Sequence, residues 1–387
     1  VRKSGLFGEC GRGEPVEQRP ARRRDDARLR EVHMAVDEPG GEHARAQVAA
    51  LIGASADEIV FTSGGTEANN LAIRGSAEAH PDRRHLVTCN VEHSATGVVC
   101  SWLEAHGHEV TRLAVGPSGR VRAEDAIAAL TDRTLLVTVM HANNETGVLQ
   151  PVAELAALAH AAGALLHTDA AQSVGKVAVR VRELGVDLLT VAGHKLYAPK
   201  GVGALYVKRG TKLAPLLLGA GHERGLRPGT ENVAAIVGLG AACEAVGHDL
   251  ETVAARMCTL RDTLWQRLLD AVPGIERNGH PTLRLPNTLN VRFPGTSGND
   301  LLAAAPELAA STGSACHEGH ERASGVILAM GIPADVALCS VRLSLGRSTT
   351  QEEVTRAADL LVAKWRRTCV ARPALASSAR TLPESDT

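Results

Sequence analysis

The chain has 387 residues, enough to bury a sizeable core and to divide into two domains. Its 42 basic and 43 acidic residues give a formal net charge of −1, so charge supplies no reason to expect direct binding to nucleic acid or to a membrane surface. Eight cysteines, none in a C-x-x-C spacing, read as reduced packing thiols rather than a disulfide framework.

The apolar stretches are interrupted by Gly, His or charge well short of the ~20 residues a membrane span needs. The basic N-terminus lacks the apolar core of a secretory signal, and Asp25, Asp26 and Glu31 argue against a transit peptide. A cytoplasmic protein is expected.

In chain order, residues 1–43 show no sustained period of 3.6 or 2 and are expected to be poorly ordered. From Ala44 the spacing of Val48, Leu51 and Ile52 predicts a helix ending at a glycine cap, Gly53. A strand over 58–62 runs into Ser63-Gly64-Gly65-Thr66, with a helix from Glu67. Short apolar strands at 85–88, 109–113 and 134–140 alternate with helices such as 152–162, the pattern of a mostly parallel α/β sheet. Near residue 245 the pattern changes to a long amphipathic helix, about 251–272, then strands at 288–293 and 341–345 flanking a loop that carries Cys316. A last helix opens on Thr350-Gln351-Glu352-Glu353, a capping box. Residues after Arg367 read as a disordered tail. The expected organisation is a divergent segment over 1–43, a large domain over 44–248, a small α+β domain over 249–367 and a tail over 368–387.

The chemistry centres on residues 165–200. Asp169 follows one apolar run, and a second run over 186–191 leads into Gly193-His194-Lys195. A lysine at the end of a buried strand is costly as a bare ammonium. As a covalent anchor for an aldehyde cofactor it has a purpose, and a carboxylate at Asp169 would keep a pyridine nitrogen protonated. That pair predicts pyridoxal 5'-phosphate. The turn Ser63–Thr66, between strand and helix, offers N–H groups to a phosphate. Gln172 and Asn144 could donate to the ring's phenolic oxygen, although an Asx turn is the plainer role for Asn143 and Asn144. Once its bond to the cofactor is released, the Lys195 amine is the obvious base for a substrate α-proton.

With HTDAAQSVGK, GHKLYAPKGVGALYV, SGGTEANNLAI, VEHSA, MHANNETGVLQP, GHERGLRPGT, STGSAC and SVRLSLGR in order, the chain resembles the cysteine desulfurases over roughly residues 44–366. These are class V aminotransferase-type, fold-type I pyridoxal phosphate enzymes. The resemblance implies a large domain built on a seven-stranded, mostly parallel sheet. It implies that Gly65, Thr66 and His194 hold the phosphate, that His93 stacks on the ring, and that Arg342 takes the substrate carboxylate, for which a planar guanidinium is well suited. It makes Cys316 the sulfur acceptor on a longer, mobile loop and His93 a proton carrier for the substrate thiol. Thr230 would touch the cofactor phosphate of a second subunit, implying a homodimer, with Arg224 and Arg227 less firmly assigned. The reaction implied is L-cysteine to L-alanine, the sulfur passing to an acceptor or scaffold protein for iron–sulfur cluster assembly or tRNA thiolation.

Three departures qualify the resemblance. Ala192 stands where the family usually has a serine, which removes one hydroxyl donor to the phosphate and predicts weaker cofactor retention. Arg322-Ala323-Ser324 replaces Glu-Pro-Ser, and loss of that proline loosens the loop. The family's opening strand and its glycine-asparagine-proline segment are missing, as a frameshifted, wrongly started or degenerate first segment would produce. The alternatives are another enzyme of the class, such as a selenocysteine lyase, and an inactive paralogue acting as a binding partner. A metal site at CHEGH lacks an obvious fourth ligand, and none is expected.

Overall fold

The computed structural model describes residues 38–313, 316–317 and 320–371. Seven strands make one sheet: β1 (Ile59–Thr62), β2 (His85–Cys89), β3 (Glu109–Leu113), β4 (Thr134–Thr138), β5 (Leu165–Asp169), β6 (Leu188–Ala192) and β7 (Gly203–Val207). Their order is β1-β7-β6-β5-β4-β2-β3. Only β7 runs against its neighbours; β2 through β6 pair in parallel. Strands β1, β2, β4, β6 and β7 are buried at every residue, which is why they read as continuous apolar runs rather than alternating ones.

Helices α1 (Glu38–Ile52), α2 (Gly65–Ala79), α3 (Ser94–Ala105), α4 (Ala123–Ala129), α5 (Val152–Ala161) and α6 (Val181–Leu184) belong to this part of the chain. Helix α1 starts six residues before the predicted onset, within the segment expected to be poorly ordered, and Gly53 ends it with φ +69° as expected. The rest of that segment lies outside the described residues.

Helix α7 (Val233–Ala271) is continuous apart from a break at Asp249 (φ −132°, ψ 20°), where a separate helix had been expected to begin. By length and composition alone it is apolar enough to cross a membrane, contrary to the sequence reading. Its glycines do not interrupt it because they admit neighbours: a Cβ on Gly240 would lie 2.6 Å from Ala44 Cα, where α1 crosses, and one on Gly238 would strike Pro199. Ile236, Leu239, Cys243 and Val246 are packed into the large core.

A second core lies beyond the break. There β8 (Glu276–Arg277) and β9 (Thr288–Arg292) join a later strand, and α8 (Gly298–Ala303) follows them. Backbone pairing places β10 (Cys316–His317) against β11 (His320–Glu321), where a loop had been expected; their side chains lie outside the described residues. After α9 (Gly325–Ala329) and α10 (Ala334–Ala337), β12 (Ser340–Ser344) completes the antiparallel order β12-β9-β8. Leu264, Leu268, Phe293, Val341 and Leu361 are buried together here. The last helix, α11 (Gln351–Ala371), runs past Arg367, and its predicted capping box is formed: Glu353 N–H donates to Thr350 Oγ1 at 3.2 Å and Thr350 N–H to Glu353 Oε2 at 2.9 Å.

The exposed edge of β1 is closed by a buried ion pair. Arg45 Nη1 and Nη2 reach Glu223 Oε2 and Oε1 at 2.9 and 2.8 Å, and Phe61 N–H donates to the same carboxylate at 2.8 Å. Arg45 and Arg224 both donate to the Ile59 carbonyl. Glu223 and Arg224 take left-handed φ values of +48° and +58° to make these contacts. The two side chains are only 7% and 1% exposed, so removing one partner strands a buried charge. Arg45→Ala or Glu223→Ala is expected to cost about 3–5 kcal/mol in urea denaturation, and Arg45→Met with Glu223→Leu less than the sum. A single-variant loss under about 1 kcal/mol, the range of a solvated surface pair, contradicts this.

Candidate active site

The predicted residues converge on the C-terminal ends of β1, β5 and β6. Asp169 ends β5, in register with Thr190 on the neighbouring β6, and β6 leads through Ala192 to Lys195. Asp169 is 6% exposed. Asn69 Nδ2 donates to its Oδ2 at 2.7 Å and Ala171 N–H to its Oδ1 at 2.9 Å, so both oxygens are held. Burial pushes this carboxyl above its usual range, and the Ala171 N–H, the Asn69 amide and the charge of His93 pull it back. No lysine or arginine forms a salt bridge with it among the described residues. A buried carboxylate with two neutral donors and, among the described residues, no lysine or arginine salt bridge is suited to face a protonated ring nitrogen.

The phosphate end also fits. Helix α2 begins at Gly65, with Gly64 at its N-cap (φ +151°), so its first-turn N–H groups lack intrahelical acceptors. A Cβ on Gly65 would come within 3.2 Å of the Ala192 methyl, and one on Gly203 would meet Gly64 Cα at 2.8 Å. The glycines therefore let this turn sit directly on the ends of β6 and β7, beside His194. Burial and the charges of Lys195, Lys200 and Lys176 lower the pKa of His194, which marks a positive neighbourhood fit for an anion. Glu67, the acid nearest in sequence, accepts from Ser63 N–H at 2.7 Å and pairs with Arg227 at 2.9 Å.

Lys195 differs from its expected setting: it is exposed, so the cost of burial is not what singles it out. The second amine at this turn belongs to Lys176, half-buried, whose Nζ donates to the Gln172 carbonyl at 2.9 Å and the Lys195 carbonyl at 3.4 Å. Burial and the charge of Lys195 bring its pKa down to about 8. The turn after Lys195 passes through Tyr197 at φ +68°, and the Tyr197 hydroxyl accepts from Arg347 N–H at 3.0 Å, tying it to the chain just after β12.

His93 is exposed and caps α3, its Nδ1 accepting from Ala95 N–H at 3.1 Å. In the neutral ring this cap places the proton on Nε2. Asn143 makes the predicted Asx turn, its Oδ1 accepting from the N–H groups of Glu145 and Thr146 at 2.9 Å each. That turn presents three successive carbonyls to the small domain. Arg342 Nη1 donates to Asn144 O, Asn290 Nδ2 to Glu145 O and Arg284 Nη2 to Thr146 O, each at 3.0 Å. Arg342 is thereby joined to the main chain at Asn144. Gln172 is half-buried beside Lys176, and Thr230 is exposed and hydrogen-bonded to none of the site residues among those described. Arg224 and Arg227 are occupied within their own chain. The Cys316 side chain lies outside the described residues.

Asn69, Lys176, Glu92 and Glu145 were not singled out from the sequence. Asn69 leaves a signal: it shares the buried face of α2 with Leu71, Ala72 and Ile73, and a polar residue among core positions needs a partner. The others sit in quoted motifs but make contacts across distant segments, which spacing does not encode.

A mostly parallel seven-stranded sheet with one reversed strand, carrying a carboxylate and a lysine at adjacent strand ends, defines a fold-type I pyridoxal phosphate enzyme. The model of the family described as Aminotransferase class-V matches residues 30–357, beginning before the onset at Ala44 read from motifs. Among curated relatives, "Cysteine desulfurase 2" of Trichormus variabilis is 46% identical over 322 residues, 83% of this chain and 81% of its own. A solved NifS-like protein superposes with a TM-score of 0.78 at 33% identity, covering 86% of this chain and 88% of that one. SspA, solved in complex with cysteine, gives 0.71 at 34% identity over 83% and 90% of the two chains. This chain belongs to the cysteine desulfurase family.

Glu92 supplies a pH test. Its Oε1 accepts from Met140 N–H at 2.7 Å and from the Cys89 thiol at 3.0 Å, while Oε2 is buried without a hydrogen-bond partner among the described residues. Burial, with the charge of Asp169, pushes its carboxyl up to about 8. The folded state therefore keeps a proton that the unfolded chain releases above its ordinary value of 4.5, so stability falls as pH rises from 4.5 toward 8. Glu92→Gln, which does not titrate, is expected to gain stability relative to the parent between pH 5 and pH 8 in urea denaturation; a pH-independent difference contradicts the assignment.

Proposed function

We propose that this chain converts L-cysteine to L-alanine with pyridoxal 5'-phosphate and leaves the sulfur as a persulfide on Cys316. The observation that carries the reading is Asp169: a buried, doubly hydrogen-bonded carboxylate on the strand next to the one that leads to Lys195. The proposed roles follow the geometry. Gly65, Thr66 and His194 hold the phosphate, Asp169 faces the ring nitrogen, and His93 covers the ring. Gln172 and Asn144 serve its phenolic oxygen, and Lys195 is the covalent anchor. When bound, pyridoxal phosphate supplies an electron-withdrawing ring conjugated to the substrate α-carbon.

The remaining steps belong to the chain. Arg342, held at Asn144 O, pairs with the substrate carboxylate and orients the α-carbon. The Lys195 amine moves the α-proton, and His93 carries the proton of the substrate thiol once its own ring proton sits on Nδ1, which releases the Ala95 N–H and frees Nε2 to accept. The Cys316 thiolate then attacks the substrate sulfur. An S–S bond forms as the Cβ–S bond breaks, the sulfur is oxidised to the persulfide level and Cβ is reduced to the methyl of alanine. No external oxidant is needed, because both changes occur within the reacting pair.

The persulfide is then free to pass to an acceptor or scaffold protein serving iron–sulfur cluster assembly or tRNA thiolation. Exposure of Thr230 suits its contributing to the phosphate site of a second copy in a homodimer.

Alanine release from cysteine tests the reading. Cys316→Ala is expected to abolish it while leaving cofactor absorbance in place; full retention would support an enzyme of the class that needs no acceptor thiol. Ala192→Ser restores a phosphate donor next to Gly65 and is expected to tighten pyridoxal phosphate retention by about 1.5–3 kcal/mol, roughly 10- to 150-fold in dissociation constant. Equal retention by the two proteins contradicts the placement of the phosphate.

A further inference from the structure

Glu145 occupies a position that the mechanism above leaves unused. It is half-buried among Arg342, Gly313 and Ser324. Its Oε2 accepts from Ser324 Oγ at 2.5 Å. Ser324 is 4% exposed, and its hydroxyl also receives the N–H groups of Val326 and Ile327, at 3.2 and 3.3 Å, as the N-cap of α9. One carboxylate oxygen thus holds Ser324, where α9 begins.

The same carboxylate touches the other end of the segment. Gly313 takes φ +73°, and a Cβ added there would collide with Glu145 Oε2, so the backbone lies directly against the acid. Ser311, just before, is bridged to Arg342 on β12: Arg342 N–H donates to Ser311 O at 2.6 Å and Ser311 N–H to Arg342 O at 3.3 Å. Arg342 also acts on Glu145 through its charge; burial raises the Glu145 carboxyl, while the Ser324 hydroxyl and Arg342 pull it down. Asn143 and Asn290 hold the backbone of Glu145 from both sides. The acid therefore has a fixed origin in the large domain and contacts at both ends of the segment from 313 to 324.

We propose that Glu145 is a positioning residue that sets the reach of Cys316 toward a substrate held at Arg342, by clasping Ser324 and the backbone at Gly313. The idea rests on the desulfurase reading for its consequence in catalysis, but the clasp itself does not. It acts through hydrogen-bond acceptance, so a neutral acceptor of the same shape preserves it. Misplacing a reacting atom by about 1 Å can cost on the order of 100-fold in rate, which sets the scale of the effect.

The test compares Glu145→Ala, Glu145→Gln, Ser324→Ala and the double variant Glu145→Ala/Ser324→Ala in the full-length chain. The first readout is the alkylation rate of Cys316 by iodoacetamide in the cofactor-free protein, followed on the Cys316 peptide. It needs no turnover, so it stands even if the enzyme proves to have another activity. Glu145→Ala and Ser324→Ala are each expected to change this rate in the same direction, the double variant no further than the larger single change, and Glu145→Gln to restore the parent rate.

The second readout is single-turnover persulfide formation on Cys316 in the loaded enzyme. There Glu145→Ala and Ser324→Ala are expected to slow sulfur transfer by about 10- to 100-fold with KM for cysteine within about twofold of the parent. Additive effects of the two substitutions, or parental alkylation in both, overturn the clasp. A rise in KM without slowed transfer overturns the positioning role and assigns Glu145 to Arg342 alone. If alkylation behaves as expected while no persulfide forms in any protein including the parent, the desulfurase reading fails and the clasp stands.

Discussion

The active site depends on keeping one carboxylate inside the protein. Asp169 closes β5 in the interior of the sheet, where its ionised form would be expensive without compensation. The structure compensates with neutral donors: the Asn69 amide from α2 and the Ala171 N–H from the next turn. These define where the charge sits without neutralising it, and leave it available to a cation presented from the cofactor side. Helix α2 consequently serves both ends of the site, offering N–H groups at Gly65 and, one turn later, the amide that orients Asp169.

Around that anion the two parts of the chain are laced together largely through main-chain groups. Arg342, Asn290 and Arg284 each donate to one carbonyl of the 144–146 turn, and Arg347 N–H meets the hydroxyl of Tyr197 beside the Lys195 turn. Carbonyls are fixed by the backbone, so these contacts set geometry more strictly than flexible side-chain pairs would. Asp249, where α7 breaks, is gripped by both oxygens from Arg347 Nη2 at 2.8 and 2.7 Å. The change in helix direction and the position of the small domain are thus linked to the motif that supplies Arg342.

Much of this was legible in the amino-acid sequence. Buried parallel strands announce themselves as apolar runs, and Gly53, the turn at Gly64-Gly65 and the Thr350 capping box carry local signals that the backbone obeys. Asp169 and Lys195 could be paired because both follow such runs. What stayed hidden depends on contacts between distant segments. Lys195 is exposed and Lys176 reaches its carbonyl, because Gly175, at φ +77°, packs closely against Leu196, and no pattern of one-dimensional spacing foretells that approach. The glycines of α7 read as interruptions but mark where α1 and Pro199 press close. Glu145 lies inside a motif whose neighbours Asn143 and Asn144 drew the attention, and its partner Ser324 is 179 positions away.

The chemistry of the site turns on which amine carries the cofactor. Two lysines lie side by side: an exposed one at 195, and a half-buried one at 176 whose pKa falls to about 8 and which would itself be a competent nucleophile. Borohydride reduction of the protein loaded with pyridoxal phosphate, followed by peptide mapping, separates them. The account predicts the phosphopyridoxyl group on the peptide containing Lys195 and none on Lys176. A label on Lys176, or on neither, contradicts it.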